Sequence, residues 1–246
     1  MEIPSIQKMV QLGMHFGHRI SKQHPKMSPY IFGARKGIHI LNLEITQKKI
    51  EEALNFVKDL IANQKVILFV GTKKQIAPII EKYAKECEMP YISTRWLGGT
   101  LTNFSSIFGL IKKFRGLKEM EEKGELAKYT KEEQNRFKKI IKKQEKIVGG
   151  IANLTKIPDA LFIVDLKREK TAVIEAKKKG VPVIGICDTN VNPTNVKYPI
   201  PASDDSVAGV ELIVSLVAEA VKEGRKNQKP EKPQEQNQKS ETSSKS

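Results

Sequence analysis

The sequence contains little cysteine, few aromatic residues and no long apolar run. Only two cysteines, Cys87 and Cys187, occur in 246 residues, which excludes a disulfide-rich scaffold. Both lie in apolar segments, so we expect buried thiols in a reducing compartment. The longest apolar runs, such as 66–70 and 160–164, are far shorter than the roughly 18 residues of a membrane helix. The first residues lack a basic segment followed by an apolar one, so we predict no signal peptide, no membrane partner and a cytoplasmic protein.

Acidic residues are scarce relative to basic ones. Lys and Arg number 43 against 28 Asp and Glu, which gives a net charge of +15. Residues 1–49 and 105–148 each carry +6 and residues 225–246 carry +3, whereas 50–104 and 149–224 carry +1 and −1. Such an excess is typical of proteins that bind a polyanion, although basic residues also serve solubility. The charge therefore concentrates in three segments around a nearly neutral remainder.

The nearly neutral segments have the pattern of an α/β fold. Runs at 66–70, 161–165 and 181–187 are apolar on both faces and end in turn residues, which favours buried parallel strands. Segments whose apolar residues recur at helical spacing separate these runs. One predicted helix begins near Thr46 as its cap, and the last begins after Asp204-Asp205-Ser206. The alternation predicts a parallel sheet with helices on both faces.

Other segments complete the expected organisation. Residues 37–42 and 198–201 are further strand candidates, and the prolines of the second fit an edge strand. Residues 104–148 lack a strand-like run and contain two apolar stripes at helical spacing, which predicts a helical hairpin. The last 22 residues contain no apolar residue, which predicts disorder. We therefore divide the chain into a basic N-terminal arm leading into the first strand (1–45), an α/β body (46–103 and 149–224), a helical hairpin insertion (104–148) and a disordered tail (225–246).

A doubly wound body calls for a search for a catalytic site at the strand ends. The Gly71-Thr72-Lys73-Lys74 turn lacks the spacing of a phosphate-binding loop. Asp165 and Asp188 end predicted strands and could ligate Mg²⁺, but loop capping explains them equally well. His15 and His18 have the spacing of zinc ligands, with no cysteine or carboxylate near them in the sequence. We predict no catalytic residue, no metal site, no cofactor and no small-molecule substrate; a nucleotide- or magnesium-dependent enzyme is the alternative.

The basic segments offer better candidates for function. In the arm, cations are interleaved with glycines, prolines and aromatic rings, a pattern that suits structured RNA. In the hairpin, Lys138, Lys142 and Lys146 are four residues apart and share one helix face, which is either an RNA-binding face or a solvated one. The glycines of the Trp96–Thr100 turn permit close approach of a partner or serve a tight structural turn. Lysines 177–179 are interpreted as a solvated helix end.

Motifs along most of the chain resemble the bacterial small-subunit ribosomal protein S2 family. They are GMHFGH at 13–18, PKM at 25–27, IFGAR at 31–35, HILNLEIT at 39–46, LFVGTK at 68–73, RWLGGTLTN at 95–103, PDALF at 158–162 and PVIGICDTN at 182–190. The match runs in order from about residue 5 to residue 224. Ser203 is a departure, because the family is expected to have asparagine there.

The resemblance implies a flavodoxin-like parallel sheet with an inserted helical coiled-coil hairpin. It also implies a non-enzymatic structural constituent of a bacterial or organellar small ribosomal subunit, bound to ribosomal RNA on the solvent side between head and body. Neighbouring small-subunit proteins, including ribosomal protein S1, are the implied protein partners. The resemblance does not assign the RNA contacts, so our candidates are polar, basic and aromatic residues of the matched motifs and the hairpin: His15, His18, Arg19, Lys22, Lys26, Arg35, Lys36, Arg95, Trp96, Asn103, Lys112 and Lys113.

Overall fold

The computed structural model describes residues 3–227, which form two sheets and seven α-helices. The strands are β1 (Phe16–Arg19), β2 (Ile31–Arg35), β3 (Ile38–Leu41), β4 (Ile67–Val70), β5 (Tyr91–Ile92), β6 (Ala160–Ile163), β7 (Val183–Cys187) and β8 (Tyr198–Pro201). The helices are α1 (Ile6–Gln11), α2 (Leu43–Ala62), α3 (Ala77–Glu86), α4 (Phe104–Glu122), α5 (Lys131–Val148), α6 (Lys170–Lys179) and α7 (Val207–Lys226). Short 3₁₀ turns occur at 20–22, 25–30, 125–128, 149–151 and 193–195.

The larger sheet is parallel throughout and has the strand order β5-β4-β6-β7-β8. All residues of β4, β6 and β7 are buried, because helices cover both faces of the sheet. Along β4, Ile67 and Phe69 pack with α2, α3 and α7, whereas Leu68 and Val70 pack with α4 and α6 on the opposite face. The prediction of a flavodoxin-like α/β fold is confirmed, and Tyr198–Pro201 is an edge strand as expected.

The N-terminal arm contains a second, antiparallel sheet with the order β1-β3-β2. The sequence predicted only the third of these strands and placed it as the first strand of the chain. Two reasons explain the difference. β1 and β2 are only four and five residues long and contain Gly17 and Gly33, and the pairing is irregular between Phe16 and Arg19 and between Ile31 and Gly33. Such strands have no clean alternation to detect.

The first long helix begins earlier than the sequence predicted. The side-chain oxygen of Asn42 accepts hydrogen bonds from the backbone N–H groups of Glu44 and Ile45, so Asn42 is the N-cap and the helix begins at Leu43. Thr46, the expected cap, is instead buried in the first turns and donates its hydroxyl to the carbonyl of Pro201 at 2.5 Å. This hydrogen bond connects α2 to β8. At the start of α7, Ser206 accepts from the N–H of Gly209, as the sequence predicted.

Helices α4 and α5 follow each other between β5 and β6 and contact each other. Phe114 and Ile141 are buried, and the ammonium of Lys118 lies 3.8 Å from the carboxylate of Glu145 on the other helix. Thr130 and Glu133 form a capping box at the start of α5. The division of the chain into arm, body, hairpin insertion and tail remains a prediction.

Both cysteines are buried free thiols, and burial raises the pKa of the Cys87 thiol to about 11. Helix α7 continues to Lys226, and Arg225 contacts the carboxylate of Glu88 at 2.5 Å. The first residues of the expected tail are therefore helical, while 228–246 lie outside the described residues. Within residues 3–227, no helix is both long and apolar enough to cross a membrane.

Candidate nucleic-acid interface

The N-terminal arm lies across the carboxyl edge of the parallel sheet. The backbone N–H of His18 donates to the hydroxyl of Thr189, and that of His24 donates to the Thr189 carbonyl, both at 2.8 Å. A Cβ atom on Gly17 would lie 2.5 Å from the Thr189 side chain, so only glycine fits this close approach. Ligands of doubly wound folds bind at this edge. Here the chain's own arm occupies part of it.

His18 contacts two acidic residues at this edge. Its Nδ1 lies 3.1 Å from Asp188 Oδ1, and its Nε2 lies 4.0 Å from Asp205 Oδ2. Ligand atoms of His18, Asp188 and Asp204 all lie within 4.8 Å of one another, a spacing that could hold a divalent metal ion. The sequence paired these residues differently, as His15 with His18 and as Asp165 with Asp188. Within the described residues, the structure brings only the three-residue set together in this way.

Burial and repulsion together raise the pKa of Asp204 to about 7. Burial is the larger cause, followed by the negative charges of Asp188, Asp165 and Asp205. Lys73 partly offsets them with its ammonium 4.0 Å from the Asp204 carboxylate. Burial also opposes the charge of Lys73, but the acidic residues outweigh it and raise the pKa of Lys73 above its usual range. The sequence alone indicates only a helix cap for Asp204 and Asp205.

The Gly71–Lys74 turn is occupied by interactions within the protein. The ammonium of Lys73 lies 2.5 Å from the carboxylate of Asp205. A Cβ on Gly71 would lie 2.8 Å from the Ile80 side chain, so this glycine permits helix–strand packing. The hydroxyl of Thr72 donates to Glu169 and accepts from Arg168. The side chains of Thr72 and Lys73 are therefore engaged within the protein.

Glu175 of α6 holds the turn that follows Arg95, a role that sequence reasoning missed. Its carboxylate accepts hydrogen bonds from the Trp96 indole at 3.1 Å, from the backbone N–H groups of Gly99 and Leu101 at 2.8 and 2.9 Å, and from Thr102. Burial opposes the charge of Glu175, but these donors outweigh it and lower its pKa. The residue is more than 70 positions away from the turn in sequence, so no local pattern could reveal the contact.

Three of the twelve candidate residues are only partly exposed and have side chains that contact other parts of the protein. His18 contacts Asp188, Trp96 donates to Glu175, and the ring of His15 packs on Phe16 with a centroid distance of 4.0 Å. The other nine are exposed: Arg19, Lys22, Lys26, Arg35, Lys36, Arg95, Asn103, Lys112 and Lys113. The exposed set is entirely basic except for Asn103.

The arm brings three of these cations to one end of the antiparallel sheet. Arg19 and Arg35 flank the same residue of the central strand, Ile38, from β1 and β2. Lys36 follows in the β2–β3 turn with a φ of 51°. We call Arg19, Arg35 and Lys36 the arm tip. Across the part of the chain that the structure describes, no ion pair involves any of the three.

Other candidates lie on or near α4. Asn103 precedes α4 without capping it, and its side-chain oxygen accepts from Ser105. The Lys112 ammonium lies 4.9 Å from the centre of the Phe108 ring. Helix α5 exposes further cations that form no ion pair among residues 3–227: Arg136, Lys138, Lys139, Lys142, Lys143 and Lys146. These side chains are free to meet a polyanion.

The arm also exposes apolar side chains. Phe32 is 79% exposed, and Phe16 and Val10 are about half exposed. Phe32 and Val10 line a shallow depression of about 310 Å³ together with Ile6 and His15. Exposed apolar patches of this kind mark contacts with other macromolecules.

Comparison with known families identifies a match. The family model described as Ribosomal protein S2 matches residues 9–224, which is most of the chain and nearly all of its described part.

Proposed function

The chain belongs to the ribosomal protein S2 family, and on that premise we propose that it binds small-subunit ribosomal RNA through the cations of its arm and of α4 and α5. As a member of this family it is a structural constituent of the small ribosomal subunit and serves translation. Proteins of ribosomal families associate with ribosomal RNA and with other ribosomal proteins, and they are generally not enzymes. The assignment of RNA contacts to individual residues is our proposal.

The arm tip is the observation that carries the proposal. Arg19, Arg35 and Lys36 converge at one end of a small sheet and are exposed without an ion-pair partner in the described chain. Unpaired cations held close together favour the phosphates of a polyanion, because binding releases condensed counterions. Phosphate contacts of this kind fix position and orientation, as a structural constituent requires.

The cations of α5 extend the proposed interface. Lys138, Lys142 and Lys146 are separated by about 6 Å each along the helix axis, at 1.5 Å rise per residue. We assign this face to the phosphate backbone of RNA rather than to bases, because lysine acts on phosphate as a flexible point charge. The same reasoning covers the exposed Lys112 and Lys113 of α4.

The proposal includes partners and location. We propose neighbouring small-subunit proteins, including ribosomal protein S1, as protein partners on a cytoplasmic ribosome. The exposed Phe16, Phe32 and Val10 support a protein contact in addition to RNA. We also propose that 1–45, 104–148 and 225–246 are accessory to an α/β body.

Sedimentation tests the proposal directly. A native lysate is layered on a sucrose gradient at low salt, and the chain is followed by immunoblot. We expect it to migrate with small subunits and to leave the isolated RNA complex as salt rises. Migration at the top of the gradient at low salt would overturn the proposal.

A further inference from the structure

A groove beside β8 has the chemistry of a site for unpaired nucleotides, and we propose that it binds a single-stranded segment of RNA. We call it the lysine groove. It runs from the 3₁₀ turn at 25–30 past the turn at 193–195 to the end of α6. The inference rests on the proposed function, since it specifies a second RNA contact away from the arm tip and α5.

The lysine groove consists of two adjoining depressions of about 690 and 360 Å³. They share Thr194, Val196 and Lys197 as a common wall, so they form one continuous path along the protein surface. The ammonium of Lys26 lies 3.3 Å from the hydroxyl of Thr194, which holds this cation at the rim.

The groove lining is basic and lacks acidic residues. Lys26, Lys49, Lys177 and Lys197 line it, and neither depression includes an Asp or Glu. By contrast, the cleft between α3, the C-terminal half of α4 and the C-terminal end of α5 is lined by four glutamates as well as by cations. Of the groove lysines, only Lys49 has an ion pair within residues 3–227, with Glu52 at 2.6 Å. A negative ligand is therefore complementary to this groove.

Flat apolar side chains make nucleotides a better fit than an acidic peptide. Pro25, Pro29, Pro193, Pro199 and Tyr30 line the wider depression. The ring of Tyr30 offers a face on which an unstacked base can stack, the prolines add rigid apolar walls, and the lysines that line the same groove suit the connecting phosphates. An acidic peptide would use the cations but not these faces. A duplex keeps its bases stacked inside, so the walls favour a single strand.

The same surface explains the run of lysines at the end of α6. Lys177, Lys178 and Lys179 are exposed in the last turn, and Lys177 lines the groove. The sequence alone favoured a solvated helix end for them. Lys177 lines the same depression as Lys197, and Lys178 and Lys179 follow it in the last turn of α6, so positive charge continues at this end of the groove.

The experiment compares paired lysine substitutions in the full chain. The probe is a 12-nucleotide oligouridylate, and its affinity is measured by fluorescence anisotropy between 50 and 200 mM salt. We expect Lys177→Ala with Lys197→Ala to weaken binding by about tenfold and to lower the salt slope by about 1.4, at roughly 0.7 per phosphate contact on a single strand. The matched control is Lys65→Ala with Lys74→Ala, which removes two exposed cations from the ends of β4, three strands away from β8.

The wild-type chain supplies a second readout. Oligouridylate carrying 4-thiouridine should crosslink to peptides containing 25–30 or 193–197. Four results would each refute RNA binding by the lysine groove. The wild type could fail to bind the probe, or the groove and control variants could lose equal affinity. Crosslinks could be confined to other peptides, or a 12-residue polyglutamate could bind more tightly than RNA. If the groove variant behaves like the control while the wild type still migrates with small subunits, only this inference fails. Loss of wild-type migration instead refutes the proposed function.

Discussion

The buried side chain of Glu175 fixes the conformation of an exposed turn. Its carboxylate is the common acceptor for the indole of Trp96 and for the backbone of Gly99, Leu101 and Thr102. Buried donors without an acceptor are costly, so this carboxylate fixes the turn and leaves Arg95 and Asn103 exposed at its ends. The indole N–H of Trp96 thereby has its acceptor within the protein.

Replacement of Glu175 by glutamine should loosen this turn. The amide offers a neutral acceptor oxygen and an unwanted donor, so we expect Glu175→Gln to lower the free energy of unfolding by about 3 kcal/mol. Trp96 is the only tryptophan, so acrylamide quenching of its fluorescence should increase. Glu51→Gln, on the exposed face of α2, is the control and should change neither quantity. Unchanged stability and quenching in Glu175→Gln would show that the carboxylate does not hold the turn.

The stability difference between wild type and Glu175→Gln should also depend on pH. The pKa of Glu175 is lowered in the folded protein, so its ionised form adds stability above the usual glutamate pKa. That stability is lost as pH falls through the lowered pKa. Denaturant titrations at several pH values should therefore show the largest difference near pH 7 and a shrinking one in acid. A constant difference from pH 7 to pH 3 would contradict the assigned charge state.

At this scale, the sequence predicts residue types but not the directions of side chains. It correctly indicates that Cys87 and Cys187 are buried, because both lie in apolar segments. It misplaces the cap at Thr46, since the choice between Thr46 and Asn42 depends on a buried contact with Pro201. The inward positions of His18 and Trp96 depend on partners that are far away in the sequence.

Elements built from long patterns are predicted well, and short irregular ones are not. The strands β4, β6 and β7 are continuous apolar runs, and their burial follows from helices on both faces. The antiparallel sheet of the arm depends on pairing between short segments and on their docking against Thr189, which no local window contains. The arm consequently contains a folded antiparallel sheet rather than a set of cationic loops.

Two glycines give a stability test of the elements around α4 and α5. Gly116 lies inside α4 with open space where a Cβ atom would lie, so Gly116→Ala should raise the free energy of unfolding by about 0.5–1 kcal/mol. Gly150 follows α5, and a Cβ there would lie 2.3 Å from the carbonyl oxygen of Tyr91. Gly150→Ala should therefore destabilise by about 1–3 kcal/mol. Denaturant unfolding measures both, and equal effects would contradict the close packing at Gly150.

The arm tip makes a distinct prediction for RNA binding. Arg35→Ala with Lys36→Ala should lower the salt slope of full-chain binding to small-subunit ribosomal RNA by up to about one unit per lost phosphate contact. Filter binding at several salt concentrations measures this slope. Lys65→Ala with Lys74→Ala removes the same charge elsewhere and should leave the slope within error. An unchanged slope in the arm variant would remove both residues from the interface.

Over the whole molecule, the net charge and the parallel sheet lie in different segments of the chain. The net charge of +15 lies in the arm, the middle segment and the C-terminal residues, while the remaining body segments balance to zero. That balance is visible in the sequence, and it predicts which segments meet a polyanion. The covering of the sheet's carboxyl edge by the arm is not visible there, because it depends on contacts between distant parts of the chain, such as that of His18 with Asp188.

Crosslink mapping in assembled small subunits tests the central claim, that the cationic segments attach this protein to ribosomal RNA. Ultraviolet crosslinking followed by mass spectrometry identifies the peptides joined to nucleotides. We predict that peptides from 19–36 and 104–148 carry most of the crosslinks and that the outer faces of α2 and α7 carry few. Crosslinks confined to α2 and α7, with none in the arm or in α4 and α5, would contradict the account.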